Sequence, residues 1–260
     1  MVWAERRRLA YMSGVLLFLG LVAFFIYHKA TSVPPTCFDN KKNGGETNID
    51  CGGTCLQYCP NELSDPKVRW VRSFEITPGF VHAVAYIEHS YPTAAAQKVN
   101  YQFKLYDDKN SIITERVGST YLGPMGKSAI VETLIPVGNS AVATTRFSFL
   151  PPIPWEKSDP KFSQVVIKTD RSLLESFSGG TRLTVVLDNQ SRYSFSSVDA
   201  VALLYDERDN VITASKILVP IIPALGKQTI YFTWPTKFDT KTVRTIEVIP
   251  RFNVYSATAL

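Results

Sequence analysis

Ten residues recur in this chain, and no other feature restricts its fold as much. Leu105-Tyr106-Asp107-Asp108-Lys109-Asn110-Ser111-Ile112-Ile113-Thr114 aligns with Leu204-Tyr205-Asp206-Glu207-Arg208-Asp209-Asn210-Val211-Ile212-Thr213. Five of the ten positions are identical, and Asp108/Glu207, Lys109/Arg208 and Ile112/Val211 preserve the chemistry. A second anchor, Pro124-Met125-Gly126-Lys127, returns as Pro223-Ala224-Leu225-Gly226-Lys227, with one residue gained or lost between the two anchors. The motif predicts a hairpin: Leu-Tyr-Asp closes one strand, the polar tetrad turns, and Ile-Ile-Thr or Val-Ile-Thr opens the next. Asp and Asn tolerate left-handed backbone and bond their own main chain, as a tight turn requires. The acidic pair Asp107-Asp108 therefore reads as turn chemistry and not as a catalytic dyad.

The surrounding texture agrees with a β fold. Val99-Asn100-Tyr101-Gln102-Phe103-Lys104-Leu105 alternates apolar and polar side chains with a period of two, the mark of a half-buried strand. Leu183–Leu187 and Thr245–Ile249 behave similarly, and nothing after residue 30 carries a long helical apolar stripe. The expected fold is an all-β ectodomain of two tandem Ig-like sandwiches, at residues 67–150 and 161–254. A proline-rich linker at 151–160 joins them. Its approach, Phe149-Leu150-Pro151-Pro152-Ile153-Pro154-Trp155, cannot fill a central strand. It is expected to set a stiff interdomain angle or to present Trp155 as a contact residue.

Ahead of the sandwiches lies Leu9–Tyr27, nineteen residues without a charge. As a helix this run is about 28 Å long, close to the thickness of a bilayer's hydrocarbon core. Arg6, Arg7 and Arg8 precede it, while His28 and Lys29 follow, so the positive-inside rule keeps residues 1–8 in the cytoplasm and sends the rest outside. Residues 9–29 are expected to be a retained single-pass cell-membrane anchor. The competing reading is a cleaved signal peptide, whose apolar region is normally shorter and whose cleavage site would fall at Ala30-Thr31-Ser32. A spacer at 30–36 contains Val33-Pro34-Pro35, which is stiff and extended.

All four cysteines fall in the polar, glycine-containing segment 37–59, before a linker at 60–66. Cys37, Cys51, Cys55 and Cys59 are expected to form two disulfides in an oxidising exterior, with three pairings open. Their spacing departs from paired C-x2-C zinc ligation. Asp39, Asn43, Glu46 and Asp50 offer hard oxygen donors suited to calcium. The alternative for the same four residues is plain turn chemistry. No other cofactor is expected.

The run Cys37, Asp39, Asn43, Glu46, Thr47, Asp50, Cys51, Gly52, Gly53 and Cys55, written C-x-D-x-x-x-N-x-x-E-T-x-x-D-C-G-G-x-C, resembles a short cysteine module of bacterial surface proteins. Phe103-Lys104-Leu105-Tyr106-Asp107 resembles the signature of FxLYD domains, extracellular sandwiches of bacteria and archaea. The second copy keeps Leu204, Tyr205 and Asp206 but has Ala202 in place of the phenylalanine. The layout as a whole is similar to uncharacterised envelope proteins of ultrasmall, candidate-phylum bacteria. That resemblance implies an envelope location and supplies no catalytic residues.

The residues point to no enzyme. His82 and His89 stand an odd seven positions apart, on opposite faces of one strand. There is no G-x-S-x-G elbow and no H-E-x-x-H. Gly123-Pro124-Met125-Gly126-Lys127-Ser128 imitates the end of a phosphate-binding loop, but Tyr121 stands where that loop needs glycine, and a strand follows. The net charge of +5 is partly in the N-terminal arginines and leaves no nucleic-acid footprint. The expected role is a structural or interaction protein whose partners are the membrane and other envelope proteins. The alternative is an adhesin-like module that captures carbohydrate or peptide.

Overall fold

The computed structural model describes residues 3–31 and 36–260. Ser32–Pro35, the centre of the expected spacer, lie outside the described residues. The chain divides into two compact units, Met1–Cys55 and Leu56–Leu260.

In the first unit, helix α1 runs from Trp3 to Thr31. Its stretch Arg6–Lys29, 24 residues with a mean hydropathy of 2.4, is long and apolar enough to cross a membrane, and none of it is buried against protein. The cysteine-rich segment of this unit is a set of turns with one short bridge, Asn48 to Cys51. Cys37 is bonded to Cys55, and Cys51 and Cys59 are also oxidised.

The second unit is antiparallel β throughout. Strands β1 (Lys67–Thr77), β2 (Phe80–His89) and β5 (Gly126–Pro136) form a sheet in the order β1-β2-β5. Strands β3 (Ala94–Tyr106), β4 (Ile112–Leu122) and β6 (Thr144–Leu150) form its partner in the order β4-β3-β6, and the short β7 (Glu156–Lys157) pairs with the start of β3. The second half repeats this plan. Strands β8 (Ile167–Phe177), β9 (Gly180–Asn189) and β12 (Lys227–Trp234) make one sheet. Strands β10 (Tyr193–Tyr205), β11 (Val211–Ile222) and β13 (Thr245–Arg251) make the other, with β14 (Ala257–Ala259) on β10.

Each half is a sandwich with its own core. Val81, Ala83, Ala85 and Ile87 of β2 face Val99, Tyr101, Phe103 and Leu105 of β3 in the first. Leu183, Val185 and Leu187 of β9 face Phe195, Val198, Ala200, Ala202 and Leu204 of β10 in the second.

The repeated motif forms equivalent hairpins. Asp107 Oδ1 accepts from the main-chain N–H of Lys109 (3.0 Å) and Ser111 (2.7 Å). Asp206 Oδ1 accepts from Arg208 and Asn210, both at 2.8 Å. The left-handed residue at each tip is Asn110 in one copy and Asp209 in the other. Both turns follow a register shift at the Leu-Tyr step, so even the bulge repeats.

A third core joins the halves. Val84 and Tyr86 of β2 and Ala129 and Val131 of β5 pack on Val201 and Leu203 of β10, Val211 and Ala214 of β11, and Ile249 of β13. The outer face of the β1-β2-β5 sheet thus lies on the outer face of the β11-β10-β13 sheet, and four sheets stack as one body. The arrangement is head-to-tail, because the two contacting sheets are not equivalents within the repeat. This corrects the expectation that the proline-rich stretch sets the interdomain angle: buried apolar surface on two sheet faces does so.

Candidate functional site

The groups that look most like chemistry gather along the seam between the sandwiches. Glu247 of β13 accepts from Tyr86 Oη of β2 at 2.9 Å and from Tyr205 Oη of β10 at 2.6 Å. Trp70 stacks on Tyr86 with ring centroids 5.3 Å apart. Burial, and then the bonded carboxylate, push both phenols well above their ordinary range. A carboxylate that takes one hydrogen bond from each half acts as a clasp.

Arg251, at the end of β13, is the second clasp. Its Nε donates to Ser128 Oγ (2.7 Å), its Nη2 to Thr120 Oγ1 (2.5 Å) and to Tyr121 O (3.0 Å), and its Nη1 lies 3.5 Å from Asp199 Oδ2. Tyr121 Oη donates back to Arg251 O, and the guanidinium sits over the Tyr121 ring. Burial raises the Tyr121 phenol to about 12 against the opposing pull of Arg251. The buried guanidinium ties its own strand β13 to β4, β5 and β10.

The two histidines on β2 face opposite ways. His82 points at the seam, with Nδ1 3.3 Å from Ala214 O, and His89 points into the first core against Trp155 and Tyr91. Burial lowers both pKa values. His89 also lines a cleft with Met125, Lys127, Arg251 and Phe252. The repeat explains His89: its counterpart Asn189 is fully buried and donates to Tyr193 O (2.7 Å) and Pro223 O (2.9 Å), tying two loops together. His89 interacts with the Gly123 main chain, and its Nδ1 is buried without a hydrogen-bond partner among the described residues.

Trp155, expected at an exposed joint, is 5% exposed. It belongs to the first sandwich core, where it meets His89 and Tyr91 edge-on or tilted. Its neighbours Tyr58 and Lys157 are pinned by main-chain bonds, Tyr58 N to Trp155 O and Lys157 N to Leu56 O. The physical reason is that the prolines before Trp155 fold the chain back over the open end of the sandwich instead of leading it away. A contact role for Trp155 is withdrawn.

In the cysteine-rich segment the expected calcium donors face the main chain. Asp50 accepts from the N–H of Asp39 (3.0 Å) and Asn40 (2.9 Å), and Asp39 accepts from Lys41 N (2.9 Å) and Asn43 Nδ2 (2.8 Å). The Asn43 bond is the largest influence holding the Asp39 carboxyl below its ordinary range. Glu46 Oε2 accepts from Asn43 N and Asp50 N. Asn43 Oδ1 is buried without a hydrogen-bond partner among the described residues. Cys37, Glu46 and Cys55 place ligand-type atoms within 4.8 Å of one another, but both sulfurs are committed to a disulfide and offer no thiolate.

Sequence reasoning missed Glu247 and Arg251 because neither belongs to a motif. The available signal was the unbroken apolar character of Ala83–Ile87 and Ala200–Leu204, which marks strands covered on both faces.

No protein-family model matches the chain. No curated protein matches it either. Among solved structures, it is similar to a glycosyl hydrolase family 2 member from Bacteroides cellulosilyticus, at 10% sequence identity and a TM-score of 0.22. The alignment covers 81% of this chain and 33% of that one. A likeness of that size carries no functional argument.

Proposed function

We propose that this is a membrane-anchored, extracytoplasmic and non-catalytic protein whose double sandwich is displayed for contacts with other envelope proteins. Helix α1 crosses the membrane with its arginine-bearing end inside. The observation that carries the reading is the third core: it turns two small domains into one stiff body, which suits a load-bearing or contact role. The titratable groups along the seam support it, since Glu247, Arg251 and His82 are engaged in contacts between strands. Oxidised cysteines favour an exported location. The resemblances to the surface cysteine module and to FxLYD sandwiches point the same way. Capture of carbohydrate or peptide rested on exposed aromatics such as Trp155, and loses that support with Trp155 buried.

The test combines topology with capture in living cells. Protease added to intact cells should remove the sandwiches and spare an epitope at Met1. Cross-linking of the full chain should then recover a defined set of envelope proteins, and the set should shrink when surface positions on β3 and β4 are substituted. Loss of the epitope, or a turnover abolished by one point substitution, would defeat the proposal.

A further inference from the structure

The cysteine-rich segment sorts its charges. Its three carboxylates, Asp39, Glu46 and Asp50, turn toward main-chain amides, and Glu46 is buried. Its two lysines, Lys41 and Lys42, are exposed. Beside them Phe38 is 84% exposed, although it follows a disulfide-bonded cysteine in a fixed turn. Ile49, adjacent to the Asp50 that grips the Asp39 N–H, is also exposed. The exposed side chains of the segment therefore include a full aromatic ring, an aliphatic group and two ammonium groups, while the three carboxylates are engaged by hydrogen bonds from within the segment.

An aromatic and lysines presented together match a bilayer's headgroup zone, where rings settle at the interface and ammonium groups meet anionic phosphates. The chain lies close enough. Seven peptide steps separate the end of α1 at Thr31 from Phe38, a reach of at most about 25 Å. Resting on the membrane-anchored reading above, we propose that Phe38, Lys41 and Lys42 form a membrane-surface contact for anionic lipid, so that this part of the cysteine-rich segment lies on the bilayer. The disulfide and the inward carboxylates hold the turn in shape, so the contact is made without ordering a flexible loop.

The experiment uses the full chain in nanodiscs of phosphatidylcholine alone or mixed with phosphatidylglycerol. An environment-sensitive fluorescent amino acid replaces Phe38, and a second preparation carries it at Tyr27 as a reporter of anchor insertion. With the anchor inserted, the probe at 38 should shift to the blue and be quenched by lipids brominated near the headgroup. The quenching should be several-fold stronger with phosphatidylglycerol, and should fall to the phosphatidylcholine level in Lys41→Gln/Lys42→Gln or at high salt. A probe at 38 that stays water-like while the probe at 27 reports insertion overturns the contact and leaves the anchor standing. A water-like probe at 27 overturns both. Intact disulfides, checked by mass, exclude misfolding as the cause of a negative result.

Discussion

Strands β3 and β10 occupy equivalent places in the two sandwiches and have opposite outer faces. Along β3 that face reads Asn100, Gln102, Lys104 and Tyr106, and along β10 it reads Asp199, Val201, Leu203 and Tyr205. The first is solvated, with Lys104 paired to Glu115, whereas Val201 and Leu203 are completely buried in the third core. Strands β2 and β9 differ in the reverse sense: β2 is buried on both faces over Val81–Ile87, whereas β9 alternates, with Arg182, Thr184, Val186 and Asp188 turned outward. Each sandwich thus gives up one of its two outer faces, and the two choose different ones. A head-to-tail contact of this kind would propagate if the free faces resembled the joined ones. Here they differ from the joined faces: polar side chains such as Gln102, Lys104, Arg182 and Asp188 stand among exposed Val117, Leu173 and Tyr231.

The comparison can be broken by exchanging the characters of matched positions. Leu203→Lys, which places an unpaired ammonium in the third core, should cost more than about 4 kcal/mol and separate or unfold the sandwiches. Lys104→Leu at the matched position of β3 should change stability by less than about 0.5 kcal/mol. Denaturant unfolding of the full chain in detergent reads both, and equal effects would mean that the seam is not a core.

Next in size is the clasp. Glu247→Ala leaves the Tyr86 and Tyr205 hydroxyls without their acceptor and should cost about 1–3 kcal/mol. The loss should shrink in a Tyr86→Phe/Tyr205→Phe background, which a double-mutant cycle measures. Additive losses would assign Glu247 to packing alone.

The hairpins sharpen the likeness instead of the difference. Asp107→Ala and Asp206→Ala each remove an acceptor of two main-chain N–H groups and should cost about 1 kcal/mol apiece, nearly equally. A twofold disparity would show that the shared sequence hides unequal turns. The smallest expected effect lies outside the sandwiches: chelator should leave the melting and proteolysis of residues 37–59 unchanged, because Asp39, Glu46 and Asp50 already bind main-chain amides. A chelator-induced drop in melting temperature would show that the segment binds calcium.

Much was legible because it is local. The period-two run Val99–Leu105, the Asx turns at Asp107 and Asp206, the membrane-length helix and the clustered cysteines each depend on residues close in sequence. Trp155 was misjudged for a related reason. Prolines announce that a strand stops, but not where the chain goes afterwards, and here it returns over the first core.

The sequence alone determined that this is a repeated all-β protein behind an apolar helix, since alternation, turn chemistry and hydropathy are set within a few residues. The tertiary structure decided which sheet faces meet. Burying Val84, Val131, Val201 and Leu203 together depends on two surfaces at least 70 residues apart, and no local pattern states that one will find the other. The same pairing gives Glu247 and Arg251 their work, because a charged side chain becomes a clasp only when a second surface brings its partners within hydrogen-bond reach.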